Sequence, residues 1–337
     1  MITKTIYILT FLVVCISTTL AQDNTAGRFL YFQPSARANA MGGSAVAMEH
    51  FSYEGYNNPA LLAFAPNLCL SGSWQNPLPI FDRDHIYGTI SLRIDTVQVI
   101  NAAMNIYTEG SHQRIYENGT LGPIFNANST MFTAAYSRRL SSQLSVGAGI
   151  GLFRINLAPV NFSTGSNATA TGVLFNAGFL YRNLLEETTY TDLEFETGKI
   201  ADMSSSKGIA IGIALSNMGP KVKFDNLGAA NDAPSVLTVG AAYSPVRIGL
   251  GGLQVALDFE KRIYESGLVN RVHVGCEVNI LRYVCLRAGY NAGTESSASS
   301  FMTLGAGLNL QFLQVSVAHY TRALLPTLQF GASFIFE

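Results

Sequence analysis

The sequence predicts an all-β protein: a transmembrane antiparallel β-barrel of about fourteen strands, preceded by a segment that a larger structure must enclose. Three observations carry this. Charged residues make up only 13% of the 337 and hydrophobic ones 48%, yet beyond the N-terminus no stretch approaches the ~20 continuous apolar residues of a membrane helix. Segments of roughly ten residues alternate apolar with small or polar side chains. The connections between them fall into a short class and a long one. The net charge of −1 argues against a nucleic-acid partner.

Residues 1–21 read as an export signal. Lys4 supplies the positive region, 6–16 the apolar core, and Thr19, Leu20 and Ala21 an A-x-A-like cleavage site before Gln22. The apolar run is short for a membrane anchor, and Cys15 after Leu-Val-Val is a faint match to a lipoprotein box.

The next stretch, "SARANAMGGSAVAMEHFSYEGYNNPALLAF" (35–64), is too small-sided to build a core and too apolar to be a solvated linker. Ala38, Ala40, Gly42, Gly43 and Ala45 suit close approach to a wall. Asn58-Pro59 fixes an extended-to-turn conformation where the chain leaves for the first strand.

From 67 to 337 the barrel pattern dominates, with segments beginning near 67, 84, 97, 130, 143, 171, 207, 235, 252, 270, 283, 299, 312 and 327. Ile86, Gly88, Ile90, Leu92 and Ile94 share one face; Tyr87, Thr89, Ser91 and Arg93 share the other. Ile209, Ile211, Ile213 and Leu215 oppose Ala210, Gly212, Ala214 and Ser216. Leu328, Phe330, Ala332, Phe334 and Phe336 oppose Gln329, Gly331 and Ser333. Side chains on a strand alternate faces, so each segment carries an apolar face for lipid and a polar one for the lumen. A soluble β-sandwich also alternates, but it needs more surface charge and shorter strands.

With both ends in the periplasm, every second connection should be a short turn. Those near Asp95-Thr96, Arg138-Arg139, Ile280-Leu281 and Gln311 are short; 108–128, 155–168, 217–233 and 291–298 would face outward. The 182–206 connection should be periplasmic yet is long and acidic, with Glu186, Glu187, Asp192, Glu194, Glu196 and Asp202. It reads as a solvated excursion or a docking element.

Parity also sorts the chemistry. Asp258, Glu260, His273, Glu277 and Arg287 face the lumen on three consecutive strands, where ionisable groups should pair or meet water. A network bracing the wall is the first reading and a substrate path the second. Glu277 and Arg287 should lie opposite or on a diagonal. Cys276 falls on the lipid face and Cys285 on the lumen face, which disfavours a bridge. The glycines at 147, 149 and 151 lie within a strand with no helix after them, so they are wall glycines and not a phosphate loop. His319 points to lipid with Val315 and Val317 and has no Ser beside it for lipid hydrolysis. No catalytic residue, metal site or cofactor is expected.

The N-terminal pair of motifs, Ser35, Arg37, Met41 and Gly42 followed by Asn58 and Pro59, resembles the N-terminal segment of FadL-type outer-membrane barrels, and more closely their PorV/PorQ branch. "LSNMGPKVKF" (215–224), "DAPSVLTVGAAYSP" (232–245), "VALDFEKR" (255–262) and "LRAGYN" (286–291) resemble that branch in order. The resemblance implies that 22–66 forms a hatch inside the barrel of 67–337, integral to the outer membrane and surrounded by its lipid. It implies a role in type IX secretion, binding exported cargo by its C-terminal domain at the cell surface, with secreted proteins or secretion-system components as partners. The alternative is a FadL-like transporter of a hydrophobic ligand. Glu337 after the terminal Phe336 and the long 182–206 connection depart from the branch.

Overall fold

In the computed structural model the alternating segments form fourteen strands of a closed antiparallel barrel. Residues 25–336 are described, apart from 49–52, 79–82, 117, 162–165, 185–207, 226–229, 249–250, 266–269, 281–282, 294–299, 311 and 323–324. In chain order the barrel strands are β1 Leu68–Leu78, β2 Arg83–Arg93, β3 Gln98–Ile115, β4 Leu121–Arg139, β5 Leu144–Asn161, β6 Ser166–Leu184, β7 Gly208–Met218, β10 Val236–Ile248, β11 Gly251–Arg262, β12 Arg271–Ile280, β13 Val284–Gly293, β14 Phe301–Asn309, β15 Leu313–Arg322 and β16 Leu325–Phe336. A two-stranded ribbon, β8 Val222–Lys223 with β9 Ala230–Asn231, lies between β7 and β10. The ring closes where β1 pairs with β16, Leu68 opposite Phe336. Closure leaves no unpaired backbone facing lipid, which is what a membrane demands of strands.

Burial follows the predicted parity. On β2, His85, Tyr87, Thr89 and Ser91 are buried while Ile86, Ile90 and Leu92 are exposed to the surroundings of the barrel. On β11, Gln254, Ala256 and Asp258 are buried against exposed Val255, Leu257 and Phe259. His319 lies on the outer face between Leu304 and Leu328. Cys276 and Cys285 face Ala288 and Asn279 respectively, on opposite faces of their strands. Tyr136 and Tyr181 hydrogen-bond Gln98 and Gln143 at one end of the barrel, as interfacial aromatics do.

The β2–β3, β4–β5, β10–β11, β12–β13 and β14–β15 connections share that end, which is the periplasmic one by the short-turn rule. Two expectations shift. Arg138 and Arg139 belong to β4, and the turn falls at 140–143. The expected outer loops 108–128 and 155–168 are largely strand, because β3 to β6 run on for 18 or 19 residues each, well beyond the other ten. Their outer halves carry Asn126, Asn128 and Asn156 where the membrane half carries apolar residues, so the lipid-driven alternation that marks a strand in sequence fades there. The 182–206 connection lies almost wholly outside the described residues, as do 1–21 and Glu337.

Candidate functional site

Residues 25–48 and 53–65 run through the ring, and their small side chains are what permit it. Ala36, Ala38, Ala40, Met41, Ala45 and Val46 are buried against wall strands. Ser35 caps the short helix Ala36–Ala40, its hydroxyl accepting from the Ala38 N–H at 3.2 Å. After Met41 the chain turns through Gly42 and Gly43, whose φ of 74° and 99° lie in the left-handed region that glycine tolerates. A side chain at Gly42 would strike the backbone oxygens of Val274 and Tyr290 at 2.6 Å.

The wall makes room in return. Gly212, Gly275, Gly289 and Gly305 face inward on β7, β12, β13 and β14, and a Cβ on each would collide with Val46, Met41, Gly42 and Ala40 respectively. Pro59 and Ala60 sit in the same way against Gly147 and Gly178. Gly149 and Gly151 face the neighbouring side chains Ala135 and Met131 instead, so of the 147–151 glycines only the first meets the segment.

Polar contacts complete the fit. Arg37, in the helix, and Arg287, on β13, both donate through Nε to Glu277 Oε2, at 2.8 and 2.6 Å. Glu277 stands directly opposite Arg287 in the register. Arg37 also reaches Gln254 on β11 at 2.7 Å, and Arg287 reaches Ser316 on β15 at 3.1 Å. One buried carboxylate therefore serves two guanidinium groups. Asp258 accepts from the backbone N–H groups of Ala45 and Val46 at 2.6 and 3.0 Å. His273 bridges the Gly42 carbonyl at Nδ1, 2.8 Å away, and Glu260 at Nε2, 3.2 Å away. Asn58 donates to the carbonyls of Val46 and Phe179 and accepts from the Ala60 N–H.

The predicted inward residues thus meet the segment at separate points, Glu277 and Arg287 around Arg37, Asp258 at Ala45 and Val46, and His273 with Glu260 at Gly42. Parity alone missed Gln254, Asn291 and Thr303. Thr303 accepts from the Gly42 N–H and donates to the Ala40 carbonyl, both at 2.9 Å. Their signal was available in part: each is a polar residue on an inward position. What they bind could not be read, since the partners lie over 200 residues away.

At the periplasmic end Phe64 lies beneath the guanidinium of Arg182, 3.8 Å from the ring centroid, with Arg139 at 5.6 Å. At the outer end Phe29 and Leu30 pack among Tyr107, Met131, Phe153 and Leu174, and the Ala26 N–H bonds the Asp232 carbonyl at 3.0 Å. Between them lies a cavity of about 120 Å³ with a mixed lining, aromatic through Tyr31, Tyr56 and Phe301 and charged through Glu260, Arg262 and Arg271. Tyrosine hydroxyls tie the segment to backbone carbonyls nearby. Tyr53 donates to the Ala332 carbonyl at 2.9 Å and also to that of Gly72, and Tyr56 donates to that of Leu30.

A closed fourteen-stranded antiparallel barrel, with its own N-terminal segment packed against the inward glycines of the wall, defines an outer-membrane β-barrel. Solved structures agree in fold. The Pseudomonas putida toluene transporter TodX matches over 93% of this chain and 98% of its own, with 15% identity and a TM-score of 0.57. The monoaromatic hydrocarbon channel CymD matches over 90% and 98%, with 12% identity and a TM-score of 0.54. A FadL homologue from Pseudomonas aeruginosa matches over 95% and 100%, with 12% identity and a TM-score of 0.50. The family model described as type IX secretion system protein PorV matches residues 19–266, and the chain belongs to that family. No curated protein matches the sequence.

Proposed function

We propose that this barrel is a non-catalytic component of type IX secretion that holds exported protein at the cell surface, with residues 25–66 acting as a hatch that keeps the lumen shut. One observation supports this above the rest: the segment is bonded to the wall on many sides, by Glu277, Asp258, His273 and Thr303 of the wall and by Asn58 reaching the Phe179 carbonyl. A lumen filled in this way leaves the outer face for work. The outward parts of 108–128 and 217–233, exposing Tyr116, Lys221 and Lys223, are the proposed contact surface for the C-terminal domain of an exported protein, whereas Tyr107 and Phe224 pack inward on the cluster around Phe29.

The transporter reading draws on the cavity beside the hatch, whose aromatic side could hold part of a hydrophobic molecule. Its charged side suits such a ligand poorly. Deleting 219–230 separates the two. The secretion reading expects an intact, heat-modifiable barrel that no longer retains exported protein in pull-downs. Altered uptake of a hydrophobic compound with secretion unchanged would favour the transporter instead.

A further inference from the structure

Ten of the fourteen barrel strands are 9–13 residues long, close to the ~9–11 that cross a membrane. The other four, β3 to β6, extend together on the outer side as a four-stranded panel. Their surplus of about eight residues reaches about 25 Å along the strands at ~3.3 Å per residue. Asn126 and Asn128, both exposed on β4, separate the lipid-facing belt from Ile124, so the exposed Ile115, Leu121 and Ile124 near the tip stand in water.

A panel that rises out of a closed barrel has two edges, and the chain treats them differently. On the β6 side its own loop closes in. The Asp225 N–H donates to the Thr169 carbonyl at 2.8 Å, the Thr169 hydroxyl donates to Asp225, and Val222 is buried in the apolar cluster of the outer lumen. On the β3 side, ladder pairing with β2 stops at His85 opposite Tyr107, followed by side-chain contacts that include the Asp84 N–H to Thr108 Oγ1 at 3.3 Å and the Arg83–Glu109 ion pair at 3.8 Å. Beyond that, among the described residues, no strand pairs with 109–115 on this side. Unpaired strand N–H and C=O groups are a template for another strand.

We propose that the open edge of β3, residues 109–115, binds an extended segment of an exported protein as a fifth strand of the panel, in the position β2 would occupy if it were as long as β3. The exposed Ile115 on β3 supplies apolar contact beside that strand. The occupant rests on the secretion reading above; the mode of binding rests on the edge.

Amide hydrogen exchange of the detergent-solubilised barrel, with and without a purified C-terminal domain of a type IX-exported protein, tests it. Alternate amides within 109–115 should slow at least tenfold on binding. Of the neighbouring variants His112→Pro and Gln113→Pro, one removes an N–H directed at β4 and the other an N–H directed at the open edge. The edge variant should keep the heat-modifiable barrel and lose at least tenfold in affinity. Binding without protection at 109–115, or with protection confined to 219–235, overturns strand addition and leaves the cargo reading standing. No binding at all overturns both.

Discussion

At Glu277 the sequence and the structure lead to opposite mutational expectations. From β12 and β13 alone, Arg287→Ala should strand a buried carboxylate. The structure places Arg37 on the same carboxylate, so losing Arg287 leaves Glu277 with a cation, whereas Glu277→Ala leaves two buried guanidinium groups facing each other. The larger loss should therefore follow Glu277→Ala, about 3–5 kcal/mol, the scale of breaking a buried pair from one side. Arg287→Ala should cost clearly less. Urea midpoints of the gel-shifted barrel would measure both, and a greater loss for Arg287→Ala would refute the shared-carboxylate account. The glycines offer a second residue-scale contrast. Gly88 faces outward, and a methyl added there would meet nothing within 4 Å, while Gly289 abuts the Gly42 backbone. Gly88→Ala should be neutral. Gly289→Ala should destabilise by about 1–3 kcal/mol, as overpacking does, and equal effects would show that the segment is not held against β13.

At the scale of elements, the strands were legible because the membrane imposes period two on both faces at once. Starts near 67, 84, 97, 143, 207, 235, 252, 270, 283, 299, 312 and 327 lie within two residues of those observed. The starts of β4 and β6, expected near 130 and 171, fall at Leu121 and Ser166, because outside lipid neither face need be apolar. The inward set on β11 to β13 followed from parity. Arg37 could not be paired with Glu277, since only the threading of the segment brings together residues 240 apart. The β2–β3 turn shows local chemistry that was within reach. Asp95, fully exposed, accepts from the Val97 and Gln98 N–H groups at 2.8 and 2.7 Å, and chiefly the Val97 bond holds its carboxyl below the ordinary range. A depressed folded-state pKa gives stability that is present above the unfolded value and lost as pH falls through the folded one. Asp95→Asn should thus lower the thermal midpoint slightly at pH 7, and the difference from wild type should shrink in acid. A gap that widens in acid would contradict the sign.

Across the whole molecule, the chain passes through its own lumen from one side of the membrane to the other before the first strand begins. Ala26 is bonded to Asp232 in the outer connection between β7 and β10. Ala38 is buried midway, and β1 starts at the periplasmic end, where Leu68 meets the terminal Phe336. An amphipathic β pattern cannot specify this path, because it fixes faces and not what fills the interior; the small residues of 35–64 indicated only that something encloses them. The path makes a vectorial prediction for intact cells and a membrane-impermeant thiol reagent. A cysteine replacing exposed Arg28 should label from outside. One replacing Ala38 should resist labelling from either side. One replacing Asn67, exposed just before β1, should label only once the periplasm is opened. Labelling at 67 in intact cells together with protection at 28 would reverse the orientation drawn from the short turns, and free labelling at 38 would show that the segment does not fill the barrel.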